Sequence, residues 1–362
     1  MASKQTVHLL LSFVSVCFLA ISLQVLFFSP ISPDILELPP ASSAFPPNNK
    51  LQGVIKLGEG FLDGPEDIAV DKECSVIYTA TRDSWLKRLH KNGSWETWKR
   101  LEGHTLLGIT TSEESGVLVV CDTEKGLLKV GEDGVSVLTS QVNGYQINFA
   151  DDVIEASDGC LYFSVASTKF GLHNWYLDFL EAKPHGQLLK YDPSTKQTSI
   201  LLDDLGFANG VALSEDQDYL VICETWKFRC LKYWLRGEKE GETEIFVENL
   251  PGGPDNINLA PDGSFWIALL QVTTEGFEFI HASKVIKKFI ATFPKLIHIV
   301  SNGVNKKATI VNVAADGKIT KHFDDSEGKV IRFVTTAIEF EDHLYLGSLN
   351  TNFIGKFPLK AA

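Results

Sequence analysis

Five short turns carry the oxygen-rich residues of this chain at matching positions. They read Gly64-Pro65-Glu66-Asp67-Ile68, Leu107-Gly108-Ile109, Asp151-Asp152-Val153, Asn209-Gly210-Val211 and Asp255-Asn256-Ile257, and each leads into an apolar run. In all but the second, the run is preceded by a carboxylate or an amide. Taken singly, an Asn, Asp or Gly at such a point is an ordinary turn former. In register they offer Glu66, Asp151 or Asp152, Asn209, and Asp255 with Asn256 as a set of oxygen donors. Such a set suits Ca²⁺, which takes six to eight oxygen ligands, better than zinc, which prefers nitrogen and sulfur. Without a cation, gathered carboxylates repel one another and resist ionisation.

These residues meet only if the turns do. Most of the apolar runs end at an acidic or glycine corner, such as Ser157-Asp158-Gly159 or Pro261-Asp262-Gly263, followed by a second and often a third strand-like run. Glu66, Leu107, Asp151, Asn209 and Asp255 recur at steps of 41 to 58 residues. A four-stranded unit at that period is the signature of a β-propeller. In that architecture the first strand of each blade lines the central channel, and the turn before it sits at one mouth. A sixth unit begins near Thr336-Ala337-Ile338 and runs out of chain before a fourth strand. Residues 51–57, LQGVIKL, are expected to supply that strand, which makes residues 51–362 an all-β, six-bladed propeller.

Two stretches interrupt the repeat. Residues 169–185, KFGLHNWYLDFLEAKPH, read as an inserted loop or short helix near one mouth. Residues 277–299 set Lys284, Lys287, Lys288 and Lys295 among apolar residues, as in an amphipathic helix over a pocket or a membrane, or a plain surface helix. Trp175, Tyr176, Trp226 and Phe228 would line an apolar pocket or pack between blades. His104 and His173 fall near mouth loops, as bases or as exposed histidines. There is no nucleophile elbow, phosphate-binding glycine loop or HExxH.

Ahead of the repeat, positions 7–30 contain no Asp, Glu, Lys or Arg. A run of roughly 20 apolar residues is long enough to cross a bilayer. Lys4 before it and Asp34 and Glu37 after it leave the N-terminus cytosolic. Residues 1–30 read as an uncleaved signal-anchor, or as a cleaved signal peptide, that delivers the rest to the secretory pathway: endoplasmic reticulum membrane or lumen, vacuole, or cell exterior. The proline-rich residues 31–50 read as an extended stalk. Of six cysteines, Cys17 lies in the apolar run, leaving an odd number beyond it. Cys223 and Cys230 flank a hairpin turn, as a disulfide or as two buried apolar residues, and no spacing fits a zinc site. Asn92-Gly93-Ser94 is a glycosylation sequon. A formal net charge of −13 argues against a nucleic-acid partner, and 44% hydrophobic with 22% charged residues is a globular composition.

The segments GQLLKYDPSTKQTSILLDDLGFANGVALS, CETWKFRCLKYWL and FVENLPGGPDNINLAPDGSFWIA resemble the plant strictosidine synthase-like family and its animal counterpart, adipocyte plasma membrane-associated protein. More distantly the chain is similar to the paraoxonases and gluconolactonases, and the resemblance covers residues 51–357. It implies a six-bladed propeller whose hydrolytic members hold a catalytic Ca²⁺ on the axis. The implied ligands are Glu66, Asp151 (where relatives often have Asn), Asn209, and Asp255 with Asn256, with Asp152 behind or beside them. Two departures stand out. The glutamate with which the true synthase deprotonates its amine corresponds to Thr335, and that enzyme lacks the Asp255 carboxylate. The paraoxonase histidine pair corresponds to Leu107 and Asp122. The expectation is therefore a Ca²⁺-dependent ester or lactone hydrolase acting on a small molecule, with Asp255 or Asp152 as general base. A condensing enzyme of alkaloid-type metabolism and a non-catalytic lumenal binding propeller are the alternatives.

Overall fold

The computed structural model describes residues 4–37, 45–272, 276–297 and 306–361. Six four-stranded antiparallel sheets stand around an axis. Their innermost strands are Ile68–Asp71, Leu106–Thr111, Ala150–Glu155, Ala208–Leu213, Gly253–Leu259 and Val334–Phe340. Each inner strand touches those of both neighbouring blades, so the ring is closed. Ile55–Leu57 pairs antiparallel with Ile354–Pro358, Leu57 opposite Ile354, and completes the sixth blade from the N-terminal side. That pairing ties the two ends of the repeat together.

Strand position decides side-chain character. The second strand of blade two, Leu118–Asp122 (LVVCD), is buried along its length, because other blades cover both faces. The outermost strand Gly134–Thr139 is mostly exposed. The core therefore lies between blades: Ala69, Tyr78 and Leu86 of blade one pack against Leu106, Leu118 and Leu128 of blade two. Phe163, fully buried between blades two and three, is the kind of side chain whose truncation to Ala costs about 3–5 kcal/mol. Cys223 and Cys230 lie opposite each other on paired strands of blade four and form a disulfide that closes the turn carrying Trp226. Asn92 is exposed in a turn between the third and fourth strands of blade one, at the end of the propeller away from the inner-strand starts.

Both insertions sit at the opposite end, where the inner strands begin. Blade three contributes α2 (Trp175–Glu181), and blade five contributes α3 (Phe277–His281) and α4 (Lys284–Thr292). The Ser283 side chain caps α4 by accepting from the Ile286 amide. The long apolar helix α1 (Lys4–Phe28) precedes the propeller and touches α4. Residues 31–37 depart from the expected stalk. Ile31 is buried with Phe170, Leu177 and Ile290, the Ser32 amide donates to Glu181 Oε1 (2.7 Å), and the Asp34 amide to the Glu181 carbonyl (2.8 Å). Their apolar side chains and backbone donors find partners on the helices, which outweighs the prolines' tendency to stay extended in water. Positions 38–44 of the proline-rich stretch and 298–299 of the second insertion lie outside the described residues.

Candidate metal centre

In five blades the inner strand slips register at its start: between Leu106 and Ile109, Ala150 and Val153, Ala208 and Val211, Pro254 and Ile257, and Val334 and Thr336. A β-bulge there breaks the strict alternation of side chains and re-aims the extra residue. Asp151, Asn209 and Asp255 occupy these bulges and, with Glu66 of blade one, line one cavity. Glycine follows where the next inner strand comes closest. A Cβ on Gly210 would stand 2.5 Å from the Asp255 carbonyl oxygen, and one on Gly108 2.5 Å from that of Asp151.

Two residues before the bulge position, Phe149, Phe207 and Phe333 adopt left-handed backbone, with φ of 59°, 62° and 48°. That conformation costs a non-glycine residue roughly 1–3 kcal/mol and persists only where its surroundings enforce it. All three rings line the same cavity as the oxygen donors. Phe207 packs edge-on against Phe149 and Phe179, with centroids 5.5 and 5.4 Å apart. These aromatics lie outside the turn pattern, although Phe149-Ala150-Asp151 and Phe207-Ala208-Asn209 repeat them at one offset from the oxygen donors.

The polar floor is almost wholly buried, Glu66, Asp151, Asn209, Asp255 and Asn256 each being 5% exposed or less. Asn209 Nδ2 donates to Asp255 Oδ1 (2.6 Å), and Asn256 Nδ2 to Glu66 Oε1 (3.0 Å). Glu66 Oε2, Asn209 Oδ1 and Asn256 Oδ1 are buried with no hydrogen-bond partner among the described residues. Each orphaned acceptor costs about 1–3 kcal/mol. Burial first, and then repulsion from neighbouring carboxylates, raises Glu66, Asp151 and Asp255 well above the usual carboxylate range. A hard cation would relieve both penalties, and the donors are all oxygen, so the residues present fit Ca²⁺. Among the described residues no group of three or more His, Cys, Asp or Glu side chains forms a metal-binding arrangement by itself. The amide oxygens of Asn209 and Asn256 are thus needed to complete the set.

Asp152 stands apart from this floor. Its Oδ1 accepts from the Val153 amide and its Oδ2 from the Val211 amide, both at 2.8 Å, tying blade three to blade four. Asp67, which the turn pattern did not single out, does the same for blades one and two by accepting from the Ile109 amide (2.9 Å), and burial pushes its carboxyl up to about 6. Asp67 follows Glu66 as Asp152 follows Asp151, so the offset itself was the signal. Both line a second cavity of about 290 Å³ with Asn256, whose side-chain amide reaches Glu66 of the first. Thr335 is fully buried, and its hydroxyl donates to the Glu66 backbone carbonyl (2.5 Å).

The cavity above the floor measures about 200 Å³. Phe149, Phe179, Phe207, Trp175, Leu270 and Val272 form apolar walls, and Arg82 is the one cation among the described residues lining it. Trp226 and Phe228 pack behind Phe149 and Phe207, whereas Tyr176 packs with Ile31 on the far side of α2. Trp226 Nε1 donates to Asp178 Oδ1 of α2 (3.0 Å), and burial raises that carboxyl to about 6. No histidine is among the described residues lining the cavity. His104 Nδ1 meets Asp122 Oδ2 (2.6 Å) and its Nε2 meets Lys125 Nζ (2.9 Å), while His173 is exposed.

A family model described as strictosidine synthase matches residues 151–238, and one described as strictosidine synthase-like, N-terminal, matches residues 43–89. Protein STRICTOSIDINE SYNTHASE-LIKE 4 of Arabidopsis thaliana is 35% identical over 355 residues, covering 95% of this chain and 93% of the relative. Adipocyte plasma membrane-associated protein of Bos taurus is 32% identical over 362 residues, covering 92% and 86%. Among solved structures, a gluconolactonase from Xanthomonas campestris superposes with a TM-score of 0.60 at 13% identity, covering 91% of this chain and 96% of the other. A calcium-binding regucalcin from Agrobacterium tumefaciens superposes at 0.53 and 12% identity, covering 83% and 92%. At such identities the two superpositions establish the fold.

Proposed function

The chain belongs to the strictosidine synthase-like family, and from that premise we propose that it is an ester or lactone hydrolase whose Ca²⁺ is held by Glu66, Asp151, Asn209, Asp255 and Asn256. The observation that carries this reading is the trio of buried, unpartnered oxygens on Glu66, Asn209 and Asn256. Bound there, the cation would supply Lewis-acid polarisation of the substrate carbonyl.

The rest of the chemistry falls to the chain. Asp255 lines the cavity and has one carboxylate oxygen fixed by Asn209, which leaves the other to take a proton from attacking water. Asp152 has both oxygens committed to backbone amides, so of the two candidate bases Asp255 is retained. The ring walls of Phe149, Phe179 and Phe207 exclude water from the apolar part of a substrate and orient its acyl group over the acid floor. The condensing alternative calls for a base where Thr335 stands, and that hydroxyl is spent on a backbone carbonyl. A structural neighbour that is a gluconolactonase lends support to the hydrolytic direction.

A panel of aryl esters and lactones, assayed with and without EDTA, tests the proposal alongside Asn209→Ala and Asp255→Ala. Hydrolysis should vanish in all three cases. Turnover that survives chelation and both substitutions would overturn it.

A further inference from the structure

We propose that the cap built from α2, α3 and α4 is a membrane-docking surface that rests on the bilayer α1 enters. The mouth of the cavity then opens at the lipid–water interface, and the substrate is an amphiphilic ester or lactone dissolved in that bilayer. The substrate clause rests on the hydrolase reading, whereas the docking clause does not.

The geometry begins at the exit of α1. Residues 6–28 form a helix long and apolar enough to span a membrane, with almost none of its surface covered by the rest of the chain. The residues just after it are stitched to the cap. Ser29 Oγ contacts the Lys288 carbonyl (3.4 Å), the Ser32 amide donates to Glu181, and Lys287 Nζ donates to the Asp34 carbonyl (2.6 Å). The Leu36 amide donates to the His281 carbonyl (3.3 Å). Glu181, itself fully buried, is held in turn by Lys169 and His185. A helix that leaves the bilayer directly into such contacts brings the cap down with it.

The cap's outward chemistry matches a lipid surface. On α4, Lys287, Ile290 and Ala291 face inward and are buried, while Val285 is 71% exposed and Phe289 lies one turn on. Phe279 of α3 is 70% exposed, and Trp175 of α2 and Tyr145, on a hairpin at the same end of the propeller, are exposed as well. Lys284, Lys288 and Lys295 border these residues in a chain whose net charge is −13. Exposed apolar side chains edged with lysines and interfacial aromatics are the pattern of an amphipathic surface seated among headgroups. Trp175 and Phe179 also wall the cavity, so the docking face and the mouth are continuous.

The test uses the full chain, with Cys17→Ser and Cys74→Ser, reconstituted in phosphatidylcholine vesicles containing phosphatidylserine. A spin label is placed at Val285→Cys or, on the opposite end of the propeller, at Thr195→Cys. Docking predicts that the label at 285 relaxes with membrane-dissolved oxygen and is shielded from an aqueous nickel chelate, with the reverse at 195. Equal exposure of both to the nickel chelate overturns it. In the doubly substituted Phe279→Ser, Val285→Ser protein, turnover of a long-chain lactone carried in the vesicles should fall about tenfold, while a short water-soluble lactone is unaffected. Equal losses on both overturn the substrate clause. A wild-type protein inactive on both lactones contradicts the hydrolase reading, and the label positions still decide the docking.

Discussion

Asn256 of blade five donates its side-chain amide to Glu66 of blade one, 3.0 Å away and 190 positions apart in the chain. The bond joins two non-adjacent blades and uses one oxygen of Glu66, leaving the second oxygen of Glu66 and the carbonyl oxygen of Asn256 both buried and without a partner among the described residues. A link between blades one and five and the candidate cation site are thereby built from the same two side chains.

Replacing Asn256 by Asp removes that donor and adds a carboxylate to the floor. The metal-free protein should lose about 1–3 kcal/mol, and calcium should restore most of it. Unfolding temperatures in EDTA and in CaCl₂ check this: the gap between the two should widen in Asn256→Asp relative to wild type.

Asp152 and Asp255 separate structure from chemistry. Asp152→Asn leaves a backbone amide of Val153 or Val211 without its acceptor, so stability should fall by about 1–3 kcal/mol with turnover retained. Asp255→Asn should lower hydrolysis by about a hundredfold or more. Denaturant melts and kcat/KM for both variants give the comparison, and a reversed pattern would reassign the base.

Asp178 titrates away from the floor. Burial raises its carboxyl to about 6, against the bonding of Trp226 that lowers it. A carboxyl raised in the folded state holds its proton more tightly there than in the unfolded chain. It therefore weakens folding progressively as pH climbs from about 4 to about 6, by about 2–3 kcal/mol at most. Asp178→Asn keeps an acceptor for Trp226 and does not titrate. Its stability relative to wild type should rise across that window and stay level above it, as read from chemical denaturation at a series of pH values with calcium present.

Much of the fold and the floor was legible because Glu66, Asp151, Asn209 and Asp255 recur before apolar runs at a blade-like period. The repeat carried the blade count, and Ile55–Leu57 closes the ring as the shortfall of the sixth unit required. What stayed hidden depends on partners far apart in sequence. Asp152 looks like a further ligand until the amide of Val211 is seen to engage it, and the matching role of Asp67 shows only in its contact with the Ile109 amide. Residues 31–37 looked like a free stalk because proline content says nothing of the carboxylate at Glu181 that receives the Ser32 amide. Phe149 and Phe207 share one offset from the oxygen donors, but composition does not reveal the left-handed backbone at each of them.

Calcium titration of the EDTA-stripped full chain, followed by calorimetry and by unfolding temperature, tests the axial site most directly. The oxygen floor predicts about one tightly held Ca²⁺ per chain and a rise of several degrees in unfolding temperature, both abolished in the Glu66→Gln, Asn209→Ala double variant. Wild-type protein that takes up no calcium and melts at the same temperature in EDTA would contradict it.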